Sequence, residues 1–213
     1  MWSVFLERKK AWEERARDVP LAPPVEWGAV VVDNFCGMGA LLLALATERV
    51  PIARYFGVDL DPVSGLMLME VAEYCLQYMS HSVRWESVAH MFHLWRDVST
   101  VGVSELQELG PVSIMGCGSP CQGFSRASRR ARGFADPRSM LFFEGIRLRD
   151  AAARLALGEE RPFFWYFENV EPDTHRVCAL RHGNEHCRRR SSGEVEQRAR
   201  ERVTAGEAVV DKP

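Results

Sequence analysis

The run Ala29-Val-Val-Val-Asp33 constrains this chain more than any other stretch. Apolar residues at successive rather than alternate positions suit a strand buried on both faces, and such strands belong to parallel sheets flanked by helices. The next residues fit that assignment. Asn34-Phe-Cys-Gly-Met-Gly39 reads as a turn, and 41–47 as a Leu/Ala helix. The alternation then repeats. A strand at 53–59 ends in Val-Asp-Leu-Asp-Pro, and Asp61-Pro62 starts a long helix rich in Met and Leu at 63–79. A weaker strand at 91–95 ends at Arg96-Asp97-Val98, and a short helix at 101–109 leads to strand 112–117. Asp136-Pro137 caps a helix from 138 to about 157, and Arg161-Pro162 introduces an aromatic strand, 163–167. Strands alternating with helices predict an α/β doubly wound sheet.

The flanks differ in character. Residues 4–17 read as a polar amphipathic helix, ended by Pro20, Pro23 and Pro24. The expected organisation is therefore an N-terminal helix and linker at 1–28, a core at 29–172, and a divergent tail at 173–213. Within the tail, 173–192 is rich in Arg and His and reads as loop, and 194–203 suits one polar helix. The last ten residues read as loose. The net charge of −2 over 213 residues announces no polyanion partner, so any basic surface must be local. Six scattered cysteines behind a start of Met1-Trp-Ser-Val-Phe-Leu-Glu-Arg-Lys-Lys suggest free thiols in a reducing compartment. No apolar run approaches the length of a membrane span, so the chain is expected to be neither spanning nor secreted.

Ligands of open α/β sheets sit beyond the carboxyl ends of the strands. Three features fall there in order. Phe35-Cys-Gly37-Met-Gly39 comes after the first strand. Its glycines allow close backbone approach, and Phe35 offers an aromatic face to a cation such as a sulfonium. Asp59 closes the second strand, where a carboxylate can grip ribose hydroxyls. Asp97 comes after the third, suited to an exocyclic adenine amine, with the Val98 N–H beside it. Each has a plainer reading: a Gly-x-Gly is often only a tight turn, and a strand-terminal Asp is often a helix N-cap, as expected of Asp61. Together they favour a nucleoside cofactor. Position 42 is Leu, so the full dinucleotide spacing is absent, which turns the choice from NAD towards S-adenosylmethionine.

The loop Gly116-Cys-Gly-Ser-Pro-Cys121-Gln-Gly-Phe-Ser holds a cysteine behind a proline. A thiolate nucleophile needs a positive or dipolar setting to lower its pKa from about 8.5. Arg126, Arg129, Arg130 and Arg132 come just after Cys121 and are suited to that role and to phosphates. Cys117, inside the apolar strand, is expected to be a buried inert thiol. Glu168 ends the run Phe-Phe-Trp-Tyr-Phe. On a buried strand its carboxyl would be desolvated and favour a neutral, proton-donating form. Asn169 adds an amide to orient that carboxyl or a base edge.

The ordered set Asp-Asn-Phe-Cys-Gly-Met-Gly, Val-Asp-Leu-Asp, Arg-Asp-Val, Gly-Ser-Pro-Cys-Gln and Phe-Glu-Asn-Val resembles the DNA (cytosine-5) methyltransferases, from about residue 29 to 170. Leu-Phe-Phe-Glu at 141–144 and Arg-Pro-Phe-Phe-Trp-Tyr-Phe-Glu-Asn-Val at 161–170 look closest to the animal de novo branch. Glu-Val-Glu-Gln-Arg-Ala-Arg at 194–200 resembles that branch's arginine motif, off the general family register because position 199 is Ala. The resemblance implies a Rossmann-like, S-adenosylmethionine-dependent methyltransferase sheet. It implies that Phe35, Gly37, Gly39, Asp59, Leu60, Asp97, Val98 and Pro120 hold the cofactor. It also implies that Cys121, Glu168, Asn169, Arg198 and Arg200 serve catalysis on a cytosine flipped out of DNA.

Family enzymes carry a target-recognition region and a returning final segment after the arginine motif. This chain ends at Pro213, so the sheet is expected to be incomplete at its C-terminus. Three other readings stay open. One is an accessory paralogue acting through protein contacts, with Phe142 and Phe143 on the helix that the de novo branch uses for association. The second is methylation of transfer RNA. The third is a metal site from His175, Cys178, His182, His186 and Cys187, whose spacing matches no standard zinc arrangement; no metal is expected. A nucleic-acid enzyme of this kind is expected in the nucleus of a eukaryote, and otherwise in the cytoplasm.

Overall fold

Among the described residues, four short parallel strands form the sheet: β1 (Ala29–Asn34), β2 (Ile52–Val58), β3 (Ile114–Cys117) and β4 (Phe164–Phe167), in the spatial order β2-β1-β3-β4. The structure is a computed structural model and describes residues 1–22, 28–124 and 136–169. The described residues fall within one unit, Met1–Glu171. The expected tail helix at 194–203, the Arg/His-rich stretch and the His/Cys cluster lie outside the described residues.

Helices cover the sheet on both faces, as the continuous apolar run of β1 requires. On one face, α2 (Ala40–Thr47) and α3 (Pro62–Tyr78) pack with Val31 and Tyr55. On the other, α5 (Val103–Glu108) and α6 (Leu141–Gly158) pack with Val30, Val32, Phe56 and Met115. α6 turns Gly145, Leu148, Ala151, Ala152 and Ala156 inward, a helical stripe of mostly small residues that brings its axis close to β3. A Cβ at Gly145 would collide with Cys117 Sγ.

The N-terminal helix α1 (Trp2–Arg15) lies against α3. Phe5 and Trp12, seven residues apart and so on one face, are buried, and the Phe5 ring occupies the space that a side chain at Gly65 would need. Trp12 Nε1 donates to the Val88 carbonyl at 3.1 Å. The segment after α1 is held by Arg54 of β2, whose buried guanidinium donates to the carbonyls of Pro20 (2.8 Å) and Leu21 (3.2 Å).

Two expectations fail. Residues 91–95 form turns, not a strand. Phe92 and Trp95 instead join an aromatic cluster with Phe5, at ring-centroid distances of 5.7 and 5.6 Å. The one backbone hydrogen bond between residues 91–95 and the sheet is to the Met91 carbonyl, which accepts from Gly57 N–H at 2.9 Å, so β2 is an edge among the described residues. A one-turn helix, α4 (Trp85–Val88), stands where none is expected; it is too short to show a period. The second failure is β4. Phe164, Trp165 and Tyr166 are 66%, 46% and 41% exposed, so the aromatic strand is an open edge and not a buried one. No helix among the described residues is long and apolar enough to cross a membrane.

Candidate active site at the carboxyl edge of the sheet

The chain leaves β1 towards β2 on one side, and β3 lies on the other. The carboxyl end of β1 is therefore a topological switch point, where adjacent loops part and leave a crevice. Phe35 turns there with φ 60°, a left-handed conformation that a bulky residue adopts at a cost of roughly 1–2 kcal/mol. Its N–H and that of Cys36 both donate to the Val58 carbonyl, at 2.8 and 3.3 Å. Val58 thus ties the turn to the end of β2.

A cavity of about 240 Å³ opens beside this turn, lined by Phe35, Val58, Asp59, Leu60, Asp61, Arg96, Asp97, Val98, Pro120 and Leu141. Of the residues expected to hold a cofactor, Phe35, Asp59, Leu60, Asp97, Val98 and Pro120 come together here. Gly37 and Gly39 are not in its lining, and their roles differ. A Cβ on Gly37 would meet nothing within 4 Å, so the turn stands open to a ligand at that point. A Cβ on Gly39 would lie 2.5 Å from Leu68 Cδ1; this glycine, at φ 84°, lets α2 pack on α3.

Asp59 is built into the turn. Its Oδ2 accepts from Gly37 N–H at 2.9 Å, and its Oδ1 from Leu60 N–H at 2.7 Å and Asp61 N–H at 2.9 Å. A carboxylate has about four lone-pair sites, so acceptor capacity remains for a hydroxyl. Asp97 caps the short turn Val98–Thr100, Oδ1 accepting from both the N–H (2.9 Å) and the hydroxyl (2.7 Å) of Ser99. The backbone bond from Ser99 holds its carboxyl below the usual range. Val98 is the first residue of that turn, where the N–H has no partner within the helix. Asp61 caps α3 as expected, accepting from Val63 and Ser64 N–H.

Glu168 and Asn169 lie beside the start of the proline–cysteine loop, at the end of β3. Glu168 N–H donates to the Cys117 carbonyl at 2.9 Å, continuing the β3–β4 ladder. Asn169 Nδ2 donates to the Ser119 carbonyl (3.2 Å) and hydroxyl (2.9 Å), two residues before Cys121. A Cβ at Gly118 would sit 3.7 Å from Glu168 Oε2 and 3.8 Å from the Phe35 carbonyl, so acid, thiol loop and cofactor turn converge on one glycine. Cys121 is a free, half-buried thiol. Cys117 is buried, and desolvation, with Asp33 nearby, pushes its pKa up to about 12, as suits an inert core thiol. Glu168 is exposed, because β4 is, and does not end a buried strand as expected. Arg126, Arg129, Arg130, Arg132, Arg198 and Arg200 lie outside the described residues. Among the described residues no cluster of His, Cys, Asp and Glu could hold a metal ion.

Sequence reasoning gave no role to Asp33, Arg96 or Leu141. Asp33 is buried under the site, accepting from Tyr55 Oη at 2.6 Å, and burial raises its pKa to about 7. An acid inside the run of valines was the signal. Arg96 reaches the cavity while paired with Glu105 at 3.5 Å. Leu141 arrives from α6, which no local pattern ties to the turn at Phe35.

Known proteins resemble this chain over part of their length. The orphan methyltransferase M.SPRI of Bacillus phage SPR is 39% identical over 75 residues, which are 35% of this chain and 14% of that protein. The crystal structure of S. pombe Dnmt2 methyltransferase aligns with a TM-score of 0.40 and 18% identity, over 75% of this chain and 38% of that one. The chain thus matches well under half the length of either. The profile of the C-5 cytosine-specific DNA methylases matches residues 31–175, about two thirds of the chain and the whole of the site at the sheet's edge. The chain belongs to the C-5 cytosine-specific DNA methylase family.

Proposed function

We propose that this chain transfers a methyl group from S-adenosylmethionine to C5 of cytosine in DNA. The observation that carries the reading is the shared edge: Phe35, which lines the cavity, and the Glu168 carboxyl both lie beside Gly118, three residues before Cys121 in the same loop. The residues present fit the cofactor. Gly37 leaves the turn open, Asp59 and Val98 offer an acceptor and a donor, and Val58, Leu60, Pro120 and Leu141 give apolar walls. In this reading Asp59 takes the ribose hydroxyls, and Asp97 with Val98 takes the edge of the adenine. Bound there, S-adenosylmethionine would supply an electrophilic methyl on a sulfonium, a cation that the aromatic ring of Phe35 in the lining suits.

The chain's own groups carry the rest of the chemistry. Cytosine carbons cannot be attacked within a base stack, so the base is flipped out. The Cys121 thiolate adds to C6, forming a C–S bond. The Glu168 carboxyl gives a proton to N3, which draws electrons from the ring and makes C6 a better electrophile. C5 becomes nucleophilic and would take the methyl as its bond to the sulfonium sulfur breaks, leaving S-adenosylhomocysteine. Loss of the C5 proton to a base then re-forms the C5–C6 double bond, expels Cys121 as thiolate and returns the N3 proton to Glu168. Asn169 holds the Ser119-Pro120-Cys121 segment in place by its two bonds to Ser119.

The test is trapping. The chain is incubated with labelled S-adenosylmethionine and either DNA or transfer RNA carrying 5-fluorocytosine, whose C5 bears a fluorine that cannot leave as the proton does. The expected result is a covalent, labelled adduct with DNA that Cys121→Ala abolishes and Glu168→Gln reduces by at least about a hundredfold. An adduct with transfer RNA alone would move the substrate to RNA. A folded chain that binds neither cofactor nor nucleic acid would overturn the reading. It would favour instead an accessory chain acting through protein contacts, for which the exposed β4 and Phe143, 46% exposed on α6, are the supporting surfaces.

A further inference from the structure

Asn34 ends β1 at the centre of the sheet and is fully buried, yet neither its Oδ1 nor its Nδ2 has a hydrogen-bond partner among the described residues. Its backbone is engaged in the ordinary way, the C=O accepting from Gly118 N–H at 3.1 Å. The anomaly is confined to the side chain. A buried carboxamide with nothing to bond has lost its hydration without compensation, and native cores hold few such groups.

Strand geometry locates the amide. Alternation puts Asn34 on the face of β1 that carries Val30 and Val32, and both of these pack in the core with Val58, Leu141 and Phe35. In register, Asn34 lies between Val58 of β2 and Cys117 of β3. Val58, Phe35 and Leu141 also wall the cavity. Asn34 is therefore a neighbour of that wall, fully buried and not itself part of the lining.

We propose that Asn34 is a specificity-determining contact of this cavity: its carboxamide binds the N6–N7 edge of an adenine ring, Nδ2–H donating to N7 and Oδ1 accepting from the 6-amino group. The inference rests on the nucleoside reading of the cavity. A carboxamide presents a donor and an acceptor side by side, the complement of that edge. The amino group carries two protons on opposite sides. Asp97 takes the one beside N1, and Asn34 takes the one beside N7. Reaching the ring requires the amide to rotate and the wall of Phe35, Val58 and Leu141 to part around it; the rotation breaks no hydrogen bond, because the amide makes none. Leucine at this place would fill the same layer and read nothing.

The experiment is calorimetric binding of the whole chain to S-adenosylhomocysteine, which has the adenine but no methyl to transfer, and to its 7-deaza analogue, in which C–H replaces N7. Wild type is expected to bind the deaza analogue about tenfold more weakly. Asn34→Leu is expected to bind both alike, near the weaker affinity. The wild-type comparison needs no substitution, so it decides the matter even if Asn34→Leu does not fold. Equal wild-type affinities, or undiminished discrimination by Asn34→Leu, would overturn the contact and leave the cavity's reading standing. A folded wild type that binds neither compound overturns both.

Discussion

Asp33 shows how a single residue can set the pH response of the whole fold. Its carboxyl is buried between Tyr55 and Gly116, and its pKa is raised from 3.8 to about 7, chiefly by burial. Between those values the folded state holds a proton that the unfolded state has released. Its contribution is full below pH 4, is lost as pH rises towards 7, and changes no further above that. Urea unfolding at pH 5 and pH 8 is expected to show wild type losing on the order of 2 kcal/mol more than Asp33→Asn over that interval. Identical pH dependence in the two proteins would refute this. The paired glycines allow a second test. Gly39→Ala meets Leu68 and a left-handed φ, and is expected to cost about 1–3 kcal/mol of stability. Gly37→Ala meets only the left-handed φ of 53° and open space, so it should fold with a smaller loss, roughly 1 kcal/mol, while weakening S-adenosylhomocysteine binding. Thermal melts and calorimetry on both variants separate the packing glycine from the one facing ligand.

At the scale of elements, the strands of the sheet were legible because their apolar runs are continuous and end in acids or glycine. The helices were legible from their caps: Asp61 caps α3, and Asp136 accepts from Arg138 N–H at 3.0 Å just ahead of α6. Residues 91–95 misled for a physical reason. Met-Phe-His-Leu-Trp has strand composition, but Phe92 and Trp95 gain more by stacking with Phe5, a partner nearly ninety residues away that no local window contains. β4 misled in the opposite sense, since aromatic composition tells what a strand can bury and not whether a neighbour exists to bury it. The site divides in the same way. Asp59 and the Cys121 loop lie at strand ends that sequence can mark, whereas Asp97 follows turns and caps the short turn Val98–Thr100. Leu141 and the buried amide of Asn34 depend on how α6 and β1 meet.

For the molecule as a whole, the open side of β4 is the main liability. Among the described residues no strand pairs with its outer side, and exposed Phe164, Trp165 and Tyr166 add apolar surface, the combination that drives association between chains. Phe164→Lys is expected to reduce light scattering of concentrated protein without lowering its melting temperature; unchanged scattering would mean that this edge is not the adhesive surface. The same strand carries the acid, and here the two bonds from Asn169 to Ser119 acquire a wider meaning. Parallel strands tolerate displacement by whole pleats, and a slip of one residue would turn Glu168 to the opposite face. The amide of Asn169 acts as an alignment pin, fixing how far β4 slides along β3, so the reach of the acid is gauged from the proline loop itself.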